Sequence, residues 1–404
     1  MTAPRRALII GGSHAGLFCA NLLLRAGWQV DVYERSGEEL AGRGAGIVTH
    51  PELREALLRA GARVDETLGV ASLGRLTIGQ DGKLLGKVAL PQILTAWGRI
   101  YHMLKDALPA GRCHFGRTLE RIEQDGGSVS AIFADGQRET GDLLVAADGI
   151  RSTVRRQYAP EVTPVYGGYV AWRGLTDERL LSRATYEALA DYLGFCLTPR
   201  EQMLGYLVAG DDNEVSAGAR RYNFVWYRPT DAAGKLRELL TDRAGRPHEI
   251  TISPDLIRDE VVDEMRRDAE RLLAPQFAEV VRLSERPFFQ AIFDLESTRL
   301  AFGRVVLVGD AAFIARPHCG MGVTKAAGDA VALVDALAAA PTIEHGLAAY
   351  EAKRVAFGHA IVAHARELGA FLQAQSGSEA ERVAAARHHD PEILMREVAV
   401  PPQF

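Results

Sequence analysis

The sequence predicts an α/β protein whose parallel sheet is assembled from separated stretches of chain, with a mainly antiparallel β-sheet inserted and helices at the C-terminal end. Three observations predict it. ALIIGGSHAGLFCANLLLRAGWQVDVYER opens the chain as strand, glycine turn, helix and second strand. The apolar runs LLVAADG (143–149) and VVLVGD (305–310) return much later, each a buried-type strand ending in a turn. Between them VYGGYVAWRGL, QMLGYLVAG, RYNFVWY and PFFQAIFDL carry the aromatics and alternation of sheet strands.

Taken in order, ALII ends at Gly11. Leu17, Ala20, Leu23 and Leu24 recur at helical spacing, Gly27 closes the helix and VDVY forms the next strand. That is a βαβ unit. Residues 73–90 predict a hairpin around Asp81-Gly82, and 113–147 a meander with turns at 125–127 and 135–136. From 165 to 295 strands dominate, and within that block only 255–274 reads as a helix. Helices follow near 322–339 and 343–374. The expected division is a discontinuous nucleotide-binding domain (1–72, 91–164 and 296–404) and an inserted sheet domain (73–90 and 165–295).

Composition narrows the class. The chain has 404 residues, 47% of them hydrophobic and 25% charged, and a net charge of −5, which argues against nucleic acid or an anionic membrane as partner. No apolar run has the length of a membrane span, and MTAPRRALIIGG reads as a first strand rather than a signal peptide. The four cysteines are scattered, as free thiols of a reducing, cytoplasmic compartment are, and no His/Cys/Asp/Glu cluster has metal-ligand spacing.

The chemistry-bearing motifs lie at the strand ends. In Gly11-Gly12-Ser13-His14-Ala15-Gly16 a serine replaces the middle glycine of GxGxxG, so a phosphate still finds room at the helix N-terminus. Glu34 ends the second strand, where an acid bonds ribose hydroxyls and disfavours a 2′-phosphate; Arg35 follows it. Asp148-Gly149 with Arg151, Ser152 and Arg155 is either a phosphate-facing turn or a solvated turn closed by a salt bridge. Asp310 stands at a strand tip, and Gly320 and Gly322 leave free amides at the next helix start, a place suited to hydroxyls and to a negatively charged ring edge.

GGSHAG…YER, LLVAADGIRSTVR and VVLVGDAAFIARPHCGMG, in that order over residues 8–330, resemble the FAD-dependent aromatic hydroxylases of the para-hydroxybenzoate hydroxylase fold. GGS, AFIARPH and NFVWYR are similar to the 2,6-dihydroxypyridine 3-hydroxylase branch of that family. The resemblance implies a Rossmann-like FAD-binding domain. Gly11, Ser13, Gly16 and Glu34 take the ADP half, Asp310 the ribityl chain, Gly320, Gly322 and Val323 the flavin edge, and Asp148 the pyrophosphate and nicotinamide region. Phe313 and Thr324 stand where many members have His and Asn. The family's pyrophosphate arginine falls near Trp97, with Arg99 out of place, and Arg43 is the substitute candidate.

The implied reaction is hydroxylation of a small aromatic or pyridine-type ring. NADH or NADPH reduces FAD, the reduced flavin captures molecular oxygen, and a flavin hydroperoxide delivers the hydroxyl. A homodimer is the assembly the resemblance suggests. An oxygen-independent flavin oxidoreductase and a non-catalytic flavin or aromatic binder are the alternatives on the same scaffold. A base titrating near neutrality would make the ring electron-rich. His318 is the first candidate for it and His50 the second, each with a packing or loop role as its other reading. Pro317 adjoins the flavin turn, and Gln202 and Tyr206 share a strand face that the resemblance assigns to substrate. Tyr222, Phe224 and Trp226 share a face of the following strand and read as core.

Overall fold

A computed structural model describes residues 4–40, 46–198, 200–373, 378–388 and 390–400. Among them, the nucleotide-type sheet has six strands, in the order Ala301–Phe302, Val305–Leu307, Leu143–Ala146, Arg6–Ile10, Gln29–Tyr33, Cys113–His114. All neighbours run parallel except the first pair. Its central strands read as continuous apolar runs because both their faces are covered. The helix His14–Arg25 is buried from His14 to Leu23 and packs on Gly322–Ala339, so its apolar sequence has no polar side to spare.

The second large sheet has eight strands, in the order Phe313–Ile314, Phe288–Glu296, Val165–Asp177, Arg221–Pro229, Glu201–Val208, Tyr192–Thr198, Gly74–Ile78, Leu84–Val88. The 73–90 hairpin thus adds to this sheet's edge, through a parallel pairing of Tyr192–Thr198 with Gly74–Ile78. The predicted meander is present as the antiparallel strands Leu119–Gln124, Val129–Phe133 and Arg138–Gly141.

The two faces of the large sheet have different fates. Val170, Trp172, Met203, Leu207, Tyr222, Phe224 and Trp226 form a separate apolar cluster with Met265 and Phe277 from the helices Asp259–Leu272 and Pro275–Leu283. Tyr169, Ala171, Leu204, Tyr206, Val225 and Tyr227 point the other way and join the core of the nucleotide-type domain. The expectation of one helix in 165–295 is corrected: Arg183–Leu189, Lys235–Leu239 and Pro275–Leu283 are helical too. They are short, and tertiary packing on the sheet outweighs their weak periodicity. The second C-terminal helix, Ile343–Gly369, stops before the expected 374.

Candidate active site

The first turn is set by space. Gly11 has φ +106°, and a Cβ there would lie 2.3 Å from the Ala147 carbonyl; a Cβ on Gly16 would lie 1.9 Å from the Gly11 carbonyl. Strand, turn and helix approach more closely than any side chain permits. The helix that follows has Ser13 as N-cap with no side-chain cap bond, and Gly322–Ala339 likewise starts uncapped at Met321. By contrast Ser152 caps Thr153–Tyr158 and Thr342 caps Ile343–Gly369. Several other helices also start uncapped, among them Pro51–Arg59 and Trp97–Ala107, but these two starts lie where the sequence expects a phosphate and a ring edge, and both keep amides available.

A cavity of about 520 Å³ opens beside the first turn, lined by Gly11, Ser13, Glu34, Arg35, Trp97 and Asp148 among others. That volume is in the range of small-molecule sites, roughly 300–1,000 Å³. Glu34 accepts from the Gly12 amide at 2.8 Å and the Ser36 amide at 2.9 Å, which fixes its carboxylate while lone pairs remain for a ribose. Asp148 Oδ2 accepts from the Thr153 amide at 2.8 Å, whereas Oδ1 is buried without a partner. Burial pushes this carboxyl above its ordinary pKa. An orphaned carboxylate oxygen, two uncapped helix starts and a glycine cradle fit a dinucleotide such as FAD.

Not every expected arginine reaches this cavity. Arg155 is buried and donates to the carbonyls of Val162, Ala311 and Ile150, so it braces the fold rather than a phosphate. Arg99 is drawn to Thr67 and Asp65. Trp97 instead forms cavity wall, its ring 4.4 Å from that of His14. Arg43 lies outside the described residues. Arg151 lines the cavity as expected, and Arg117 and Arg156 line it too; Arg156 closes the Asp148-Gly149 stretch without having been singled out, and no motif marks Arg117.

At the other end, Gly309 (φ +60°) packs against Ala15, so Asp310 leaves the sheet beside the first helix. The Gly309 amide donates to Asp329 at 2.9 Å, and Arg354 holds Asp329 at 2.6 Å. Lys325 is buried, 3.8 Å from both Asp310 and Asp329. These braces act across helix turns, which strand-end motifs do not reveal. Pro317 opens the short 3-10 turn Pro317–Cys319, Gly320 closes it at φ +65°, and Gly322 and Val323 start the long helix. A Cβ on Gly322 would meet nothing within 4 Å.

The candidate substrate residues converge on this turn. A Cβ on Gly46 would lie 2.5 Å from the Tyr206 ring, and the Gly46 amide donates to Asn223 Oδ1 at 2.9 Å. From there the strand Gly46–Val48 leads to His50, whose Nδ1 lies 3.0 Å from Thr324 Oγ1, so a position that departs from the family pattern orients a site histidine. Gln202 is buried on the Tyr206 face and pairs across the sheet with Tyr227. The Tyr227 ring lies 4.2 Å from that of His318, tilted by 46°, and His318 Nε2 meets the Tyr169 hydroxyl at 2.8 Å.

Both histidines are pushed below the ordinary imidazole range. Burial, helped by the positive charge of Arg316, lowers His318 to about 3, and burial also lowers His50. The expectation of a near-neutral imidazole base is therefore corrected for His318, because its ring is enclosed without a carboxylate partner. Missed altogether were Arg173, Asn223 and Tyr227. Alternation sets Asn223 and Tyr227 opposite the Tyr222, Phe224 and Trp226 stripe, but only the cross-strand register brings Arg173 and Asn223 to the face of Tyr206.

Comparison with known proteins follows the same layout. A family profile described as an FAD binding domain matches residues 5–176, and one described as FAD binding domain-like matches 166–294. The chain is 30% identical to the 2,6-dihydroxypyridine 3-monooxygenase of Paenarthrobacter nicotinovorans, over 91% of each chain. It is 28% identical to the 3-amino-4-hydroxybenzoate 2-monooxygenase of Streptomyces cremeus, over 93% of this chain and 89% of that one. The solved structure of 2,6-dihydroxypyridine-3-hydroxylase from Arthrobacter nicotinovorans superposes with a TM-score of 0.86 at 29% identity, covering 93% of this chain and 95% of that one. Since the likeness extends through both sheets and the helices between them, the chain belongs to the FAD-dependent aromatic hydroxylases, the flavin monooxygenases that act on aromatic and heteroaromatic rings.

Proposed function

We propose that this enzyme hydroxylates a small, already hydroxylated N-heteroaromatic ring of the dihydroxypyridine type, with NADH or NADPH as reductant and molecular oxygen as co-substrate. The observation that carries the reading is the band of unpartnered polar atoms where the large sheet meets the flavin turn: His318 Nδ1, His50 Nε2 and Asn223 Nδ2. A buried polar atom without a partner costs free energy, on the order of 1–3 kcal/mol each, and a polar ring that bonds these atoms recovers it. The activities of the relatives, a dihydroxypyridine and an aminohydroxybenzoate monooxygenase, support the same substrate class.

In this reading FAD supplies the oxygen-activating chemistry. Gly11, Ser13, Gly16, Glu34 and Arg35 hold its ADP half, Asp148 its pyrophosphate region, Asp310 its ribityl hydroxyls, and Gly320, Gly322 and Val323 its ring edge. Tyr206, Gln202 and Asn223 orient the ring from the sheet, while Pro317 and His318 close over it and keep water out. The sheet with its 73–90 hairpin is the proposed substrate domain, and the remaining segments the cofactor domain. Cys19, Cys113, Cys196 and Cys319 are all unpaired, which supports a reducing, cytoplasmic setting.

The test is a screen of hydroxypyridines, hydroxybenzoates and phenols for stimulated NADH or NADPH oxidation, with oxygen uptake and product mass. The expected result is a dihydroxypyridine that gains one oxygen atom. NADH oxidation that no ring stimulates, or that consumes no oxygen, would sink the proposal.

A further inference from the structure

Buried and half-buried arginines on or beside the large sheet have partners: Arg75 donates to the carbonyls of Met395, Val398 and Ala399 and to Gln92, and the others named next pair with carboxylates. Arg316 is held by Asp294 at 2.9 Å, Arg220 by Glu178 at 2.9 Å, and Arg228 by Glu201 at 3.1 Å and Asp268 at 2.7 Å. Arg173 is different. It sits mid-strand in Val165–Asp177, opposite Val225, on the face that carries Tyr169, Tyr206 and Tyr227. Its Nε is buried without a hydrogen-bond partner, and among the described residues no carboxylate lies within ion-pair distance of it.

The groups that feel its charge are Tyr206, Tyr227 and His318. None of them supplies the missing anion. Burial pushes Tyr227 up to about 12 and Tyr206 higher still, so both phenols keep their protons. His318, at about 3, is neutral. The other charged or titratable neighbours of that turn are Tyr169, also pushed up by burial, the Arg316–Asp294 pair, which is internally neutralised, and His388. The Arg173 guanidinium thus shares a sheet face with two phenol donors and, among the described residues, has no anion beside it. A partly buried charge of this kind is stabilised by an opposite one.

We propose that Arg173 anchors the ring substrate through a negatively charged oxygen, beneath His318 and between Tyr206 and Tyr227. This rests on reading the site as that of an aromatic hydroxylase, and it explains how an electron-rich ring is obtained without a near-neutral base at His318. The enzyme selects the substrate anion: the substrate O–H breaks in solution, its electron pair stays on the ring oxygen, and the proton goes to bulk water. A ring carboxylate would satisfy the same guanidinium, so the test must separate the two sources.

Binding to the FAD-loaded enzyme is measured for 2,6-dihydroxypyridine, for 3-amino-4-hydroxybenzoate, and for neutral 2,6-dimethoxypyridine as control. The proton state of bound dihydroxypyridine is read from its ultraviolet spectrum across pH. Wild-type enzyme is expected to prefer at least one anion over the control. If the partner is the oxyanion, bound dihydroxypyridine ionises at lower pH than the free compound. Preference for the carboxylate alone assigns the other source. Arg173→Gln is expected to weaken the preferred anion by about 30-fold or more while leaving the control unchanged, and to return the ionisation of bound ligand to that of free ligand. Arg173→Lys, which keeps the charge, is expected to restore much of the preference, which a merely structural role would not do. Retained flavin shows that the variants fold. Unchanged anion preference in Arg173→Gln, or binding by wild type that ignores ligand charge, overturns the assignment, as does failure to bind any of the three. Arg173-dependent anion binding without ring-stimulated oxygen uptake would leave the anchor standing and overturn the monooxygenase reading instead.

Discussion

The two faces of the large sheet are made from the same strands, yet one packs against helices and the other against the nucleotide-type domain, where the proposed site lies. On the helix-covered face Trp226 is fully buried and its Nε1 donates to Glu201 at 2.9 Å, so apolar surface and polar atom are both satisfied. On the opposite face Asn223 Nδ2 and Arg173 Nε remain without partners, and Tyr206 packs against a glycine. One register step separates the two, as strand periodicity requires. Unpartnered polar atoms occur on both faces, Tyr222 OH and Thr198 Oγ1 on the first, but among the described residues only the second carries an unpartnered guanidinium nitrogen beside an unpartnered amide.

Three substitutions probe that contrast. The largest effect is expected from Trp226→Ala, which should cost about 3–5 kcal/mol in chemical denaturation through the cavity it leaves. Ring binding by whatever protein remains folded should be unaltered. A loss below about 1 kcal/mol would show that this face is not the load on which the sheet depends.

His318→Phe comes next, and here the effect depends on pH. The folded ring is depressed to about 3 from an ordinary 6.5, so the unfolded chain binds more protons between those values. Stability from this group is complete above about pH 6.5 and falls as pH drops towards 3, by up to about 1.4 kcal/mol per pH unit. Wild type should therefore lose about 2 kcal/mol more than His318→Phe between pH 7 and pH 5, read as a steeper fall in stability. Equal losses in both proteins would mean that the ring is accessible to protons when folded.

The smallest stability change is expected from Tyr206→Phe, within about 1 kcal/mol, because no protein partner depends on its hydroxyl. The same variant should raise KM for the ring. If it instead unfolds the protein with KM unchanged, the second face is a core like the first.

Legibility differed in the same way. Gly11, Gly16, Glu34, Asp148 and Asp310 were readable because each role depends on a strand end and the turn after it, a few consecutive residues. Tyr222, Phe224 and Trp226 were correctly read as core from their shared strand face. Arg173 and Asn223 were passed over because their meaning needs the cross-strand register that sets them on one face with Tyr206. The helix Pro275–Leu283 was missed because a short segment gains its stability from the sheet beneath it. His318 drew attention through its neighbours, but only its enclosure by Tyr169 and Tyr227 shows that it stays neutral.

The sequence alone therefore determined the class of fold, the order of its cofactor motifs and the dinucleotide they cradle. All of these are written in local backbone requirements: left-handed glycines, uncapped helix starts and acids at strand tips. Tertiary structure decided that Arg173 lies beside Tyr206 and Tyr227 without a carboxylate among the described residues, that the His318 ring is held neutral, and which face of a two-faced sheet meets the nucleotide-type domain. Charge, proton affinity and unsatisfied bonding belong to an environment, and that environment is built from residues far apart in the chain.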